Sequence, residues 1–190
     1  SPQLEDMIRT EIENCTNGVP SGIWLKCNAL VDHRLITLLY EASKAGVPIE
    51  ILARGICCLR PGVAGLSETI TVRSVIGRFL EHGRIYVFAN GGEFLSEKNT
   101  VIISSADLMP RNLRRRVECF MRLENPTVRK QVLHQIMVAM LRDEKNSWYL
   151  QPDGSYVHPA TDEASFSCHD YFMSNPSLSG LGSLANAQEQ

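Results

Sequence analysis

The sequence predicts an α/β domain with a mixed β-sheet flanked by α-helices. The clearest sign is a strand–helix–strand succession between residues 23 and 53, which is the unit that builds parallel sheets. Two more apolar segments with the character of strands cover residues 84–89 and 100–104. The connection between these two segments begins with a Gly-rich turn. A chain of 190 residues has room for one such domain.

The elements of the first part follow from the spacing of apolar residues. Residues 3–15 form a predicted helix, because apolar residues recur near helical spacing and no Pro or Gly interrupts them. Residues 23–27 alternate as a strand does. The next helix has Leu and Ala along one side, with Gly46 in the position of a C-cap. Residues 47–53 are the second predicted strand.

Two more helices are predicted further along the chain. Residues 74–81 are expected to form a short helix with its apolar side chains turned inward. A longer helix begins with Asn125 as its N-cap and Pro126 as its first residue. After Leu141 the pattern decays, and the tail is expected to be flexible at least from residue 174.

Composition excludes several classes of protein. The net charge of −2 argues against a nucleic-acid partner, so any site for anions must be local. The six cysteines show neither a C-x-x-C pair nor a zinc-ligand spacing, and they are expected to be reduced. No apolar run reaches the ~18 residues needed to cross a bilayer. The protein is therefore expected to be cytoplasmic.

Polar residues cluster at the ends of predicted strands, where ligands collect in open α/β sheets. Arg54 ends one strand and precedes Gly55. Its guanidinium matches the oxygens of a phosphate group, although a solvent-exposed arginine is the plain alternative. His82 and Arg84 precede another strand and share one face if that strand already begins at His82. Histidine can exchange protons or hold a phosphoryl group, but a surface histidine is the default alternative.

A third cluster begins at the end of the strand 100–104. Residues 104–112 are rich in Ser, Asp and Asn, and residues 111–116 contain four arginines in an otherwise slightly acidic chain. Such a concentration of charge is suited to a polyanion. The alternative is a solvated basic turn.

Read together, these segments resemble a known family. A histidine with a basic residue before a strand, followed by a polar strand end, is similar to one half of the phospholipase D-like fold. Over residues 1–155, the chain resembles the C-terminal domain of the bacterial polyphosphate kinase 1 family. Residues 156–190 are then a C-terminal extension. The resemblance rests on the order and spacing of residues 20–23, 28–32, 54–57, 79–84, 88–92 and 104–112.

The resemblance implies an enzyme that reversibly moves the terminal phosphate of ATP onto polyphosphate, with Mg²⁺. In this family the active site lies between two phospholipase D-like halves and an N-terminal region, and a histidine of the first half is phosphorylated. By motif, Arg54 and His82 correspond to ligands of the ATP phosphates. His82, Arg116 and Glu118 correspond to catalytic residues. Arg84, Arg111 and Asn112 are expected along a phosphate or polyphosphate rim.

The chain departs from the family in one major respect. The half that carries the phosphorylated histidine is missing, so Ser1-Pro2 is interpreted as the start of a fragment and the isolated chain is expected to be inactive. No metal ligand is carried over to this chain. The implied partners are ATP or ADP, polyphosphate and the remaining domains of the enzyme. Oligomerisation and membrane association of the full-length enzyme are left open.

Two other functions are compatible with the sequence. A degenerate half could bind polyphosphate or nucleotide without catalysis. A phosphodiesterase half-site acting as a homodimer ranks last, because it needs His-x-Lys and Arg84 stands in the position of the lysine.

Overall fold

An eight-stranded mixed sheet organises the residues that the computed structural model describes, 2–114 and 118–175. The strand order is β6-β5-β4-β1-β2-β3-β7-β8. The strands are β1 Ile23–Cys27, β2 Ile49–Ala53, β3 Ile70–Val75, β4 Ile85–Phe88, β5 Thr100–Ser104, β6 Phe120–Arg122, β7 Ser147–Leu150 and β8 Tyr156–Val157. The helices are α1 Pro2–Thr16, α2 His33–Ala45, α3 Pro110–Arg114, α4 Pro126–Gln131, α5 Val138–Leu141 and α6 Cys168–Ser174. A π-helical stretch, Val132–Met137, joins α4 to α5.

The sheet direction determines which chain segments meet. Strands β1, β2 and β3 are parallel, whereas β4 is antiparallel to β1 and β5 is antiparallel to β4. The ends of β1, β2, β3 and β5 therefore lie at the same edge as the start of β4. We call this edge the carboxyl edge.

Helices cover both faces of the sheet, which confirms the predicted fold class. Helices α1 and α2 pack on one face, and the π-helical stretch, α5 and α6 contribute to the core on the other. The boundaries of α2 follow from local chemistry, and its predicted C-cap is confirmed. The side chain of Asp32 accepts a hydrogen bond from Leu35 N at 3.0 Å, and Gly46 ends the helix with φ of 99°. Asn125 caps α4 through Thr127 N, as expected.

The predicted helix over residues 74–81 is wrong. Strand β3 occupies Ile70–Val75, and residues 76–84 have no regular structure. We call residues 76–84 the β3–β4 segment. Its apolar side chains Ile76, Phe79 and Leu80 are exposed, so their helical spacing does not mark a buried face. Strand β4 begins only at Ile85, and His82 therefore does not share a strand face with Arg84.

The chain beyond Leu141 is more regular than its sequence pattern indicates. Strand β7 pairs with β3, β8 pairs with β7, and α6 packs on the sheet. These elements have two to seven residues, too few for a periodic signal. The sheet continues across residue 155, and the domain boundary placed there stays a prediction. Ser174 ends α6, and the tail expected to be flexible lies outside the described residues from position 176 onward.

No helix within residues 2–114 and 118–175 is long and apolar enough to cross a membrane. The six cysteines are all free, and Cys27 and Cys168 are buried.

Candidate phosphate-binding site

The carboxyl edge brings together polar residues from separate parts of the chain. Arg54 follows β2, and the β3–β4 segment carries Glu81 and His82 to the start of β4. Strand β1 lies between β2 and β4 in the sheet, so the end of β2 and the start of β4 both lie beside the end of β1. The structure thus places Arg54 and His82 at one edge, although their assigned roles stay predictions.

Two cations hold the backbone on either side of His82. Arg54 Nη1 donates a hydrogen bond to Glu81 O at 3.0 Å, and Lys26 Nζ donates one to Gly83 O at 2.7 Å. Lys26 also forms an ion pair with Glu81 Oε2 at 3.4 Å. The imidazole of His82 is exposed. His82 therefore projects from a tethered backbone, which restricts the positions available to its ring.

Lys26 is a buried cation inside β1, with 4% of its surface exposed. Burial lowers the pKa of Lys26, whereas the charge and hydrogen bond of Glu81 oppose that shift. A charge in this position needs partners because removing it from water is costly. Glu81 and the carbonyl of Gly83 provide them.

A second network fixes Arg84. Asp107 Oδ2 accepts from Arg84 Nη2 at 3.1 Å, and Asp107 Oδ1 accepts from Asn28 N at 2.8 Å and Ala29 N at 3.2 Å. Burial favours a higher pKa for Asp107, but the hydrogen bonds from Arg84 and the two backbone amides together lower it. Arg84 Nη1 also donates to His82 O at 3.1 Å. The guanidinium of Arg84 thus belongs to the frame around His82.

Asn28 connects the two networks. When its amide is oriented to satisfy both neighbours, Nδ2 donates to Glu81 O at 3.1 Å and Oδ1 accepts from Arg84 Nη2 at 2.8 Å. The carbonyl oxygen of Glu81 therefore receives hydrogen bonds from Arg54 and Asn28.

The third cluster forms a compact turn beside β6. Ser105 Oγ donates to Glu118 Oε2 at 2.6 Å and accepts from Cys119 N at 3.0 Å. Ser104 Oγ donates to Cys119 O at 3.0 Å. Glu118 is consequently held by the strand end that the sequence identified.

The expected rim is only partly described. Asn112 is 7% exposed and does not lie on an exposed rim, because α3 turns its side chain inward. Arg116 and the side chain of Arg111 lie outside the described residues. Arg84 lies at the carboxyl edge but is bound by Asp107.

Sequence reasoning missed Lys26 and Asn28 as parts of the site. A signal for Lys26 was available, since it interrupts an apolar strand that helices cover on both faces, where a lysine needs a partner. Asn28 belongs to residues 28–32, on which the resemblance partly rests, but its contacts with Glu81 and Arg84 depend on a register between β1 and β4 that the sequence does not reveal.

The carboxylates of the candidate site are the groups that would hold a magnesium ion. Mg²⁺ prefers carboxylate oxygens and retains several waters, but the carboxylates of Glu81, Asp107 and Glu118 are each engaged by protein donors. Within the described ranges no three His, Cys, Asp or Glu residues are grouped so that they could hold a metal ion. Magnesium ligands outside this chain stay a prediction.

The mixed sheet and its polar carboxyl edge define the class of this protein: an α/β domain of the phospholipase D-like type. Residues 1–168 match the family described as "Polyphosphate kinase C-terminal domain 2". The chain belongs to this family.

Known proteins support this assignment. A polyphosphate kinase of Erythrobacter litoralis is 55% identical over 180 residues, covering 95% of this chain and 25% of that protein. A polyphosphate kinase of Synechocystis is 50% identical over 168 residues, covering 87% and 22%. The crystal structure of polyphosphate kinase from Porphyromonas gingivalis matches with a TM-score of 0.81 and 35% identity, covering 90% of this chain and 25% of that one. The chain thus spans about a quarter of the length of these relatives.

Proposed function

We propose that this chain is part of a polyphosphate kinase, which reversibly transfers the terminal phosphate of ATP to polyphosphate. In this proposal the carboxyl edge binds the phosphates of the nucleotide. The observation that carries it is the convergence of Arg54 and the tethered His82 at one edge of the sheet. The names of the relatives support the same reaction.

Arg54 is suited to bind phosphate. A guanidinium has five N–H donors, and the hydrogen bond to Glu81 O occupies one of them. This bond orients the planar group, and the remaining donors can reach phosphate oxygens. Phosphoryl transfer depends mainly on positioning and on stabilising the negative charge spread over the transferred group. Arg54 contributes to both.

His82 contributes a group that donates hydrogen bonds and transfers protons. Its exposed imidazole can donate to a phosphate oxygen or pass a proton to the leaving phosphate. The backbone contacts of Arg54, Lys26 and Arg84 on both sides of His82 fix its position before the substrate binds. Such preorganisation avoids the cost of ordering the group during the reaction.

We also propose that the covalent nucleophile comes from another part of the polypeptide. With His82 as the proton donor, a phosphohistidine mechanism needs a second accessible imidazole as its nucleophile. His169, which contacts the β3–β4 segment through Phe79, is only 1% exposed. Arg54 and His82 then act on a phosphoryl group that a second half-site receives.

A full-length protein containing this chain tests the proposal. It should make polyphosphate from ATP and regenerate ATP from polyphosphate and ADP. A protein that binds ATP or polyphosphate but catalyses neither direction would instead be a binding module.

A further inference from the structure

The β3–β4 segment is anchored by helix α6. Phe79 N donates a hydrogen bond to His169 Nδ1 at 3.3 Å. The two rings also meet edge to face, with centroids 5.3 Å apart and planes at 62°. His169 is buried, whereas Phe79 is exposed. A buried residue near the C-terminal end of the described chain thus contacts the segment three residues before His82.

Gly77 makes this close approach feasible. A Cβ atom at this position would lie 2.5 Å from His169 Nδ1 and 2.8 Å from Asn146 Oδ1. Neither contact is tolerable, so a side chain at Gly77 would push the segment away from α6. The glycine and the histidine therefore depend on each other.

A buried polar network holds His169 in place. Asp143 is 1% exposed, and its Oδ2 accepts from Cys168 N at 2.7 Å and Asn146 Nδ2 at 2.9 Å. Asn146 O accepts in turn from Ile76 N at 2.9 Å. The same residues thus fix the start of α6 and the start of the β3–β4 segment.

The imidazole of His169 has a specific use. Because Nδ1 accepts a hydrogen bond, the neutral ring carries its proton on Nε2. Nε2 is buried and has no hydrogen-bond partner within the described residues, which is unfavourable. A leucine would avoid this cost but could not accept a hydrogen bond, so the acceptor at Nδ1 is what distinguishes the imidazole from an apolar side chain.

We propose that His169 is a positioning residue for the phosphoryl-transfer site. It fixes Phe79 and the backbone around it, so that the segment delivers Glu81 to Arg54 and Lys26 and leaves His82 facing the substrate. This inference rests on the proposed function. It adds a residue that touches neither ATP nor polyphosphate.

The test compares His169→Leu with His169→Asn in the full-length enzyme. The amide oxygen of asparagine can replace Nδ1 as acceptor, whereas leucine cannot. We expect His169→Leu to lower kcat about 10- to 100-fold, the range that a small misplacement of a catalytic group can cost. His169→Asn should stay close to the wild-type rate. His33→Leu, which replaces an exposed histidine at the start of α2, is the matched control and should leave kcat unchanged.

Two further measurements separate positioning from a general structural role. In the His82→Ala background, His169→Leu should lower kcat by less than it does in the wild type, because part of its effect passes through His82. Hydrogen exchange of the full-length enzyme should speed up over residues 76–83 in His169→Leu and in Gly77→Ala, and stay unchanged in β1 and β2. If His169→Leu does not fold, the hydrogen exchange and kcat of Gly77→Ala test the same contact between the β3–β4 segment and α6.

The outcomes are distinct. Unchanged exchange over residues 76–83, or faster exchange with a wild-type kcat, overturns the positioning role. Equal losses of kcat in the Leu and Asn variants, or a full additional loss in the His82→Ala background, also overturn it. A wild-type enzyme without kinase activity overturns the proposed function, while the exchange comparison still decides whether His169 holds the segment.

Discussion

Arg54 Nη1 lies 3.0 Å from the carbonyl oxygen of Glu81, the residue directly before His82. Arg54 and Glu81 are 27 positions apart in the chain, and β1 separates the strands that carry them. They meet because β2 ends at the edge where β4 begins. This bond ties Arg54 to the backbone directly before His82, and Arg54 and His82 are the two residues to which the resemblance assigns the phosphates of ATP.

Replacing Arg54 tests its contact with phosphate. In the full-length enzyme, Arg54→Ala should remove charge-assisted hydrogen bonds worth about 1.5–3 kcal/mol each. This loss corresponds to a decrease in kcat/KM of about 10- to 100-fold. Arg54→Lys should recover only part of the loss, because an ammonium group lacks the planar fork. Steady-state kinetics with ATP measures both.

Arg34→Ala is a suitable control for this series, since Arg34 is an exposed arginine at the start of α2. It should retain wild-type kinetics. An Arg54→Ala enzyme with unchanged kcat/KM contradicts a role in phosphate binding.

Replacing Lys26 tests the buried cation beneath the β3–β4 segment. Lys26→Met keeps most of the volume but removes the hydrogen bond to Gly83 O and the ion pair with Glu81. We expect the free energy of unfolding to fall by about 1.5–3 kcal/mol, the cost of a lost hydrogen bond to a charged group. Denaturant titration measures this change. Turnover should fall as well, and a Lys26→Met enzyme with both properties unchanged excludes the tether.

The pair of Asp107 and Arg84 predicts a dependence of stability on pH. The pKa of Asp107 is lowered in the folded state, so folding favours its carboxylate form. The stabilisation is therefore complete above the unfolded-state pKa of about 3.9 and is lost as the pH falls through the folded-state pKa.

Asp107→Asn isolates this effect, because the amide oxygen can still accept from Asn28 N. The variant should be less stable than wild type at neutral pH by up to about 1 kcal/mol, since the pair is partly exposed. The difference should shrink as the pH is lowered below about 4. Thermal unfolding measured over pH 3–7 provides the comparison, and a constant difference at every pH argues against the charged pair.

The isolated chain should not make polyphosphate. It lacks the half that is proposed to carry the covalent nucleophile, so Arg54 and His82 have no phosphorylated partner to act on. The assay is ATP-dependent polyphosphate synthesis by the purified 190-residue chain, free of host enzyme. Measurable synthesis shows that this chain contains a complete active site.

The sequence predicts those elements whose signals are local. Helix α2 combines an apolar stripe with Asp32 and Gly46 at its ends, and each signal acts within a few residues. Strand β3 and the β3–β4 segment were misassigned, because apolar residues at Ile76 and Leu80 suggest a buried helical face that the fold does not provide. This segment lies at the polar carboxyl edge, where hydrogen bonds from Arg54 and Lys26, rather than burial of apolar side chains, hold its backbone.

The candidate site likewise contains residues that the sequence predicts and residues that it does not. The strand-end rule identified Arg54, His82 and the turn after β5, because chain direction places such residues at one edge. The roles of Lys26 and His169 depend on contacts across 57 and 90 residues, respectively. No pattern along the chain encodes these pairings.

Turnover of the full-length enzyme with His82→Ala tests the central claim most directly. We expect the rate of polyphosphate synthesis from ATP to fall at least about 100-fold, the lower range for loss of a general acid–base group, with an unchanged unfolding temperature. His33→Ala, on the exposed start of α2, should keep the wild-type rate. A His82→Ala enzyme that synthesises polyphosphate as fast as His33→Ala contradicts the assignment of the carboxyl edge as the site of phosphoryl transfer.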